Sequence, residues 1–225
     1  MSPTHLVSPS SQSGRQGEKE LVEKMSTRFI LVRHGQTAWN KTEQFRGRTD
    51  LPLNETGLAQ AQRVAARLAN AKIDAIYSSP LQRTLQTIQP LADARNLRII
   101  KTDALIDIDV GDCAGLTIEQ TQEKFPSVAD AWLNHPAQVA FPNGESALSM
   151  RNRLEKLLAE LTIKHAKQTI VLVTHRMLCQ TILCLALGLD PDLLWHIQQD
   201  NGCVNFFELR DKHFVVTLMN DVGNF

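Results

Sequence analysis

Apolar and polar positions along the 225-residue chain follow two alternating rhythms. The first is the short apolar run: "RFILVRH" ends at Gly35, "IDAIYSSP" is broken by Ser78-Ser79-Pro80, and "LRIIKT" and "TIVLVTH" have the same form. Such runs, rich in β-branched residues and bounded by turn residues, predict buried strands. Between them the period becomes helical. In "LPLNETGLAQAQRVAARLAN", Asn54 is placed to cap a helix whose Leu58, Ala61, Ala65 and Leu68 share a face. A second helix is predicted from Pro80 to about Asn96, its proline in the first turn, where a missing N–H costs little. A long one runs from about Ser146 to His165, with Ala147, Met150, Leu154, Leu157 and Leu161 on one side. "RMLCQTILCLALG" predicts a helix after the fourth strand, and "GCVNFFELR" with "HFVVTLMN" a terminal hairpin. Residues 107–143, punctuated by Pro126, Pro136 and Pro142, should be irregular with short helices.

Strands alternating with amphipathic helices predict the α/β class, a three-layer α/β/α sandwich around a mostly parallel sheet. Ligands bind such sheets beyond the carboxyl ends of the strands. That rule brings together Arg33 with His34, Ser78 through Arg83, and His175 with Arg176. Two imidazoles and at least two guanidiniums at one sheet edge suit a phosphate. Arginine offers a rigid fork of donors and keeps its charge. A neutral imidazole attacks phosphorus once neighbouring cations have drawn charge off the phosphoryl oxygens. Gly35 is expected to turn the chain sharply and let backbone approach the ligand, and helix-start N–H groups would add anion donors.

Composition removes alternatives. Twenty-four basic and twenty-four acidic residues give zero formal charge, so nothing steers the chain toward nucleic acid or an anionic membrane. No apolar run reaches the ~20 residues of a membrane span; "ILCLALGL" at 182–189 reads as a buried helix. Cys113, Cys179, Cys184 and Cys203 form no CxxC pair and read as small apolar fillers in a reducing, cytoplasmic compartment. Residues 1–25 are polar and serine-rich without a signal-peptide pattern, and are expected to be a disordered extension with Met25 as a candidate start; residues 26–225 would be one catalytic domain. HExxH, GxxxxGK[ST], a post-strand GxGxxG and GxSxG are all absent, so neither metal nor organic cofactor is expected. His5, His135, His165, His196 and His213 lie outside the strand ends and read as surface or packing residues.

In their order along the chain, "LVRHGQTAWN", "FRGRTDLPLNETG", "SSPLQRTLQT", "NGES" and "LVTH" resemble the signature of the histidine phosphatase superfamily, also called phosphoglycerate mutase-like, from Arg28 to about Glu208. The resemblance implies that fold and assigns roles. His34 would be the nucleophile that becomes phosphohistidine, and His175 the second pocket histidine. Arg33 and Arg83 would hold the phosphoryl oxygens, with a side-chain donor from Asn40. Arg46-Gly47 stands where the family commonly has Gln-Gly lining the pocket. Related enzymes commonly carry a general-acid glutamate in a stretch like LxExxxGxWEG; here it reads "LIDIDVGDCAGL", with Cys113 and Ala114 in place of Trp-Glu. The matching acid is Asp107, one methylene shorter, and Asp109 is the alternative. At the reference pKa of ~3.9 an aspartate is protonated about one part in a thousand at neutral pH, so a proton donor here needs a raised pKa. Arg176 replaces a frequent glycine, either to touch a substrate anion or to pair with an acidic neighbour.

The activity implied is a metal-independent phosphomonoesterase acting on small phosphorylated metabolites through a phosphohistidine. Two alternatives stand beside it, a phosphoglycerate mutase and, from another class, a non-catalytic phospholigand-binding or interaction domain. The short stretch from Gly111 to Gly144, without a basic lid, favours the phosphatase over the mutase. The expected partner is the phosphorylated substrate rather than nucleic acid or membrane; oligomeric state stays open.

Overall fold

A computed structural model describes residues 26–40 and 44–223. The expected extension at residues 1–25, Met25 included, lies outside them. The strands are β1 (Thr27–Arg33), β2 (Ala75–Ser78), β3 (Ile99–Lys101), β4 (Thr169–Thr174), β5 (Val204–Arg210) and β6 (His213–Asp221). They form one sheet in the order β3-β2-β4-β1-β5-β6. β1, β2, β3 and β4 pair in parallel, and β5 joins β1 antiparallel before turning into β6. The predicted terminal hairpin is therefore the antiparallel margin of a mostly parallel sheet.

The helices are α1 (Glu55–Arg67), α2 (Gln82–Arg95), α3 (Ile118–Lys124), α4 (Pro126–Asn134), α5 (Ala147–Lys164) and α6 (Arg176–Leu187). Successive strand residues point to opposite faces, so a sheet covered on both sides builds two cores. Phe29, Leu31, Ile170 and Leu172 pack with Met150, Leu154 and Leu161 of α5 and Leu178 and Ile182 of α6. Ile30, Val32, Ile76, Val171 and Val173 pack with Val64 and Leu68 at α1 and Ile88 and Leu91 of α2. These two cores make the three layers. Among the described residues no helix is long and apolar enough to cross a membrane. The four cysteines are free and buried, and His165, within hydrogen-bond distance of the Tyr77 hydroxyl, is a packing residue.

Two local expectations change. Leu58 is 49% exposed, and the inner face of α1 is Gly57, Ala61 and Val64, continued by Leu68. Asn54 does cap the helix, accepting from Gly57 N at 2.9 Å. The face is rotated because Gly57 backs onto the loop after β1: a Cβ there would lie 2.2 Å from the Gln36 carbonyl oxygen. Pro80 sits ahead of α2, whose N-cap is Leu81, and the proline inside that helix is Pro90.

The registers place the site. β1 and β4 align Val32 with Val173, and β2 and β4 align Ser78 with Val173. Three parallel strands thus end in one row, and His34, Ser79 and His175 follow just beyond it.

Candidate active site

The segment after β1 is pinned on both sides. His34 N donates to Thr174 O at 3.0 Å, and Gly35 N donates to Thr87 Oγ1 of α2 at 2.9 Å. Gly35 does not supply the expected sharp turn. A Cβ on it would stand 2.7 Å from Gly57 O, so its role is to let the first turn of α1 approach backbone to backbone.

Within this frame His34 is fully buried. Its Nδ1 lies 2.6 Å from Gly35 O. A carbonyl oxygen only accepts, so Nδ1 carries the proton and Nε2 the lone pair. That Nε2 is buried with no hydrogen-bond partner among the described residues. Burial first, then the cations Arg83, Arg33 and Arg46, hold the pKa well below the ordinary histidine value, which keeps the ring neutral.

His175 lies beside it, ring centroids 5.3 Å apart. Arg83 Nε donates to His175 Nδ1 at 3.2 Å, so the proton sits on Nε2, 2.9 Å from Ser79 Oγ. Burial, then Arg83, pulls this pKa down as well. Arg83 is itself wholly buried; Nη1 donates to Thr49 O at 2.7 Å, and Nη2 to Gly47 O at 2.8 Å and to Asp107 Oδ2 at 3.1 Å. Gly47 needs to be glycine here, since its φ is +48° and a Cβ would meet Val110 Cγ2 at 2.6 Å.

The two candidate acids separate. Asp107 is buried, with Oδ2 3.4 Å from His175 Nδ1 and Oδ1 accepting from Ile108 N. Burial raises its pKa against the opposing pull of Arg83 and Arg46. Asp109 does not point with it. Its Oδ1 accepts from Gly111 N as the chain turns, and the more exposed carboxylate faces Arg48 at 3.4 Å.

Arg33 is buried, and its Nη1 donates to Gln199 O. Burial, then nearby Arg46, brings its pKa down to about 10. The Nε atoms of Arg33 and of Arg46 are buried without partners among the described residues. Asn40 Oδ1 accepts from Thr37 N and Thr37 Oγ1, which leaves its NH2 as the end that can donate to a ligand. Arg176 lies 5.2 Å above the centre of the Trp195 ring, at the rim. Arg33, Asn40, Arg46, Gly47, Asp107 and Arg176 all line one cavity of about 450 Å³. His34, His175 and Arg83 are buried and are not among the residues that line it.

Sequence reasoning passed over several supporting residues. Ser79 and Glu145 stood inside quoted patterns, "SSPLQRT" and "NGES", without roles. Gln199 and Asn205 gave no signal; their amides exchange two 2.8 Å hydrogen bonds, and the Gln199 carbonyl holds Arg33. Among the described residues no group of three or more His, Cys, Asp or Glu could hold a metal ion.

A neutral imidazole lone pair, two guanidiniums with unused donors and a buried carboxyl of raised proton affinity form a site for an anionic, phosphoryl-sized group. At the strand ends of a three-layer α/β fold, such a set suits the chemistry of a phosphate ester. Comparison then fixes the family. A model of the histidine phosphatase superfamily (branch 1) matches residues 29–222, and the chain belongs to that superfamily. The match passes Glu208 and takes in the terminal hairpin. Phosphoserine phosphatase 1 of Hydrogenobacter thermophilus is 36% identical over 193 residues, 86% of this chain and 92% of the relative. The metal-independent phosphoserine phosphatase of Arabidopsis thaliana is 30% identical over 207 residues, 90% and 85% of the two chains. A solved phosphoserine phosphatase from Entamoeba histolytica, in complex with 3-phosphoglyceric acid, superposes with a TM-score of 0.78 at 30% identity, covering 87% of this chain and 97% of that one. The protein is a phosphatase of this superfamily.

Proposed function

We propose that the protein is a metal-independent phosphomonoesterase acting on small phosphorylated metabolites through a phosphohistidine at His34. The observation that carries this reading is the Nδ1–Gly35 O contact, which leaves Nε2 as an unpartnered lone pair in a ring that feels the charges of Arg83, Arg33 and Arg46. Nε2 attacks phosphorus in line; the N–P bond forms as the ester P–O bond breaks. The Asp107 carboxyl gives its proton to the departing alkoxide. The resulting carboxylate then takes a proton from water, whose oxygen attacks phosphorus, and the N–P bond breaks to release phosphate and restore His34. Arg33 and Arg46, with unused Nε donors, receive the charge spread over the phosphoryl oxygens. Arg83 is better placed as the strut that holds Asp107, His175 and the loop at Gly47 and Thr49, because its Nε, Nη1 and Nη2 are already engaged.

The mutase reading is disfavoured by residues 112–143. They carry one lysine, Lys124, and no arginine. The ends of the segment meet, a Cβ on Gly111 falling 2.7 Å from Gly144 N. Turnover of p-nitrophenyl phosphate with and without EDTA, in the absence of 2,3-bisphosphoglycerate, tests the proposal. Equal rates with and without chelator, and phosphate released from several monoesters, are expected. Loss of activity in EDTA would contradict metal independence, and no turnover from acid to neutral pH would favour the binding-module reading.

A further inference from the structure

Arg33 and His34 are gripped by the loop at residues 199–203, which leads into β5. Arg33 N donates to Cys203 O at 3.2 Å, Gly202 N donates to Arg33 O and His34 O at 3.2 Å, and Asn201 Nδ2 donates to His34 O at 3.1 Å. Those bonds hold backbone. The Gln199 carbonyl goes further and accepts from Arg33 Nη1, so it takes hold of the guanidinium itself. The fork is rigid and planar, and a bond at one nitrogen constrains the aim of the others.

What holds the Gln199 carbonyl is an amide on β5. Asn205 is fully buried, and its side chain uses both donors and both lone pairs. Nδ2 donates to Leu31 O of β1 at 3.1 Å and to Gln199 Oε1 at 2.8 Å; Oδ1 accepts from Gln199 Nε2 and from Asn220 N, each at 2.8 Å. A carbonyl accepts and an N–H donates, so the amide can lie only one way round. β6 supplies the last of these bonds because its pairing with β5 slips here. Val204 faces Asp221 and Phe206 faces Leu218, which gives β6 one residue more than β5 over the stretch. Asn220 lies within it at a φ of +53°, and its N–H meets the Asn205 side chain. Its own side chain continues the latch: Oδ1 accepts from Asp200 N at 2.7 Å and Nδ2 donates to Asp200 Oδ2 at 2.8 Å.

The neighbours of Asn205 along β5, Val204 and Phe207, are buried apolar residues. An apolar side chain could fill such a place with no partner to find, whereas a buried amide must satisfy every polar atom. Here each atom is satisfied in a way that fixes the loop beneath Arg33. Charge on a phosphoryl group in transit is best met by donors already in position, and an arginine stem has several rotatable bonds to restrain.

Resting on the phosphomonoesterase reading, we infer that Asn205 and Asn220 are positioning residues for the Arg33 grip on the phosphoryl group, acting through the Gln199 carbonyl. The terminal hairpin thereby aims a phosphate donor without touching the substrate.

The test reads the Kd for orthovanadate, a phosphoryl mimic, by calorimetry, with kcat and KM for p-nitrophenyl phosphate beside it. Arg33→Met keeps a long stem, removes the fork and sets the size of the grip. Asn205→Ala should raise Kd roughly fivefold or more, the scale of coupling within one hydrogen-bond network. Asn220→Gly, which suits the positive φ, should raise it by less. In the Arg33→Met background neither change should add to the loss, because the group they position is gone. Residues that merely hold the fold would weaken orthovanadate by the same factor in both backgrounds. That result, or an unchanged Kd in both single variants, or Arg33→Met without effect on Kd, would overturn the inference. The phosphatase reading would stand in each case if the wild-type protein hydrolyses p-nitrophenyl phosphate. Asn220 is half-buried, so Asn220→Gly decides the matter should Asn205→Ala fail to fold. A wild-type protein that neither binds orthovanadate nor hydrolyses p-nitrophenyl phosphate would overturn both.

Discussion

His34 and His175 share one buried cluster of guanidiniums and hold their protons at opposite ring positions. The Gly35 carbonyl fixes the proton of His34 on Nδ1, while the Arg83 N–H takes the lone pair at His175 Nδ1 and leaves the proton on Nε2. One ring therefore offers a lone pair at Nε2 and the other an N–H. Asp107 is the proposed acid. Burial raises its pKa, so its protonated fraction at a given pH exceeds that of a free aspartate. In the proposed mechanism the protonated form is the active one, and it disappears as pH rises through the raised pKa. Turnover of alkyl esters should fall along that limb. In Asp107→Asn the limb should vanish and alkyl-ester kcat should drop by about 10²–10⁴, the usual weight of a general acid. Hydrolysis of p-nitrophenyl phosphate, whose leaving group hardly needs a proton, should fall far less. pH–rate profiles on both substrates measure this, and equal losses would remove Asp107 from the acid role.

At the scale of elements, α5 grips the segment that carries Asp107. Arg153 Nη1 donates to Ala104 O at 2.7 Å and Nη2 to Ile106 O at 2.8 Å, while the guanidinium pairs with Glu145. Glu145 N in turn donates to Asp109 O at 2.8 Å. Arg153→Ala leaves two carbonyls without their donor and Glu145 with Arg48 and Asp109 N as its remaining partners among the described residues, a stability cost of about 2–3 kcal/mol. If the clasp positions the acid, kcat for alkyl esters falls more than kcat for p-nitrophenyl phosphate, a partial copy of Asp107→Asn. Equal losses would make Arg153 a residue of the fold alone. The elements themselves were largely legible, because strands buried on both faces and helices with one apolar stripe leave distinct periods. The rotation of α1 was not. Leu58 satisfies the helical spacing, yet the contact that sets the face is between two residues without side chains, Gly35 and Gly57, which hydrophobic periodicity cannot register.

Over the whole molecule, parallel β1, β2 and β4 end in register, and that is why residues far apart in sequence meet. The strand-end rule foresaw the meeting of Arg33, His34, Arg83 and His175 and, through family likeness, Asp107. It did not foresee how they are held. Gln199 and Asn205 hydrogen-bond across a turn into β5, and Arg33 reaches the Gln199 carbonyl 166 positions away. Such contacts depend on packing that carries no period. Nor did the rule foresee that Arg83, expected to hold the phosphate, donates to backbone carbonyls of the Gly47–Thr49 loop. The apolar part of the cavity lining was hidden for a similar reason, since residues 45, 108, 110, 132, 133 and 195 come from separate segments. What the assembly is for rests on the lone pair at His34 Nε2. Its most direct test is an alkaline quench during turnover, followed by mass spectrometry of the peptides, since phosphohistidine survives base. A single phosphoryl group on the peptide containing His34, absent together with turnover in His34→Ala, is the predicted result; a phosphoryl group on His175 instead, or full turnover in His34→Ala, would contradict it.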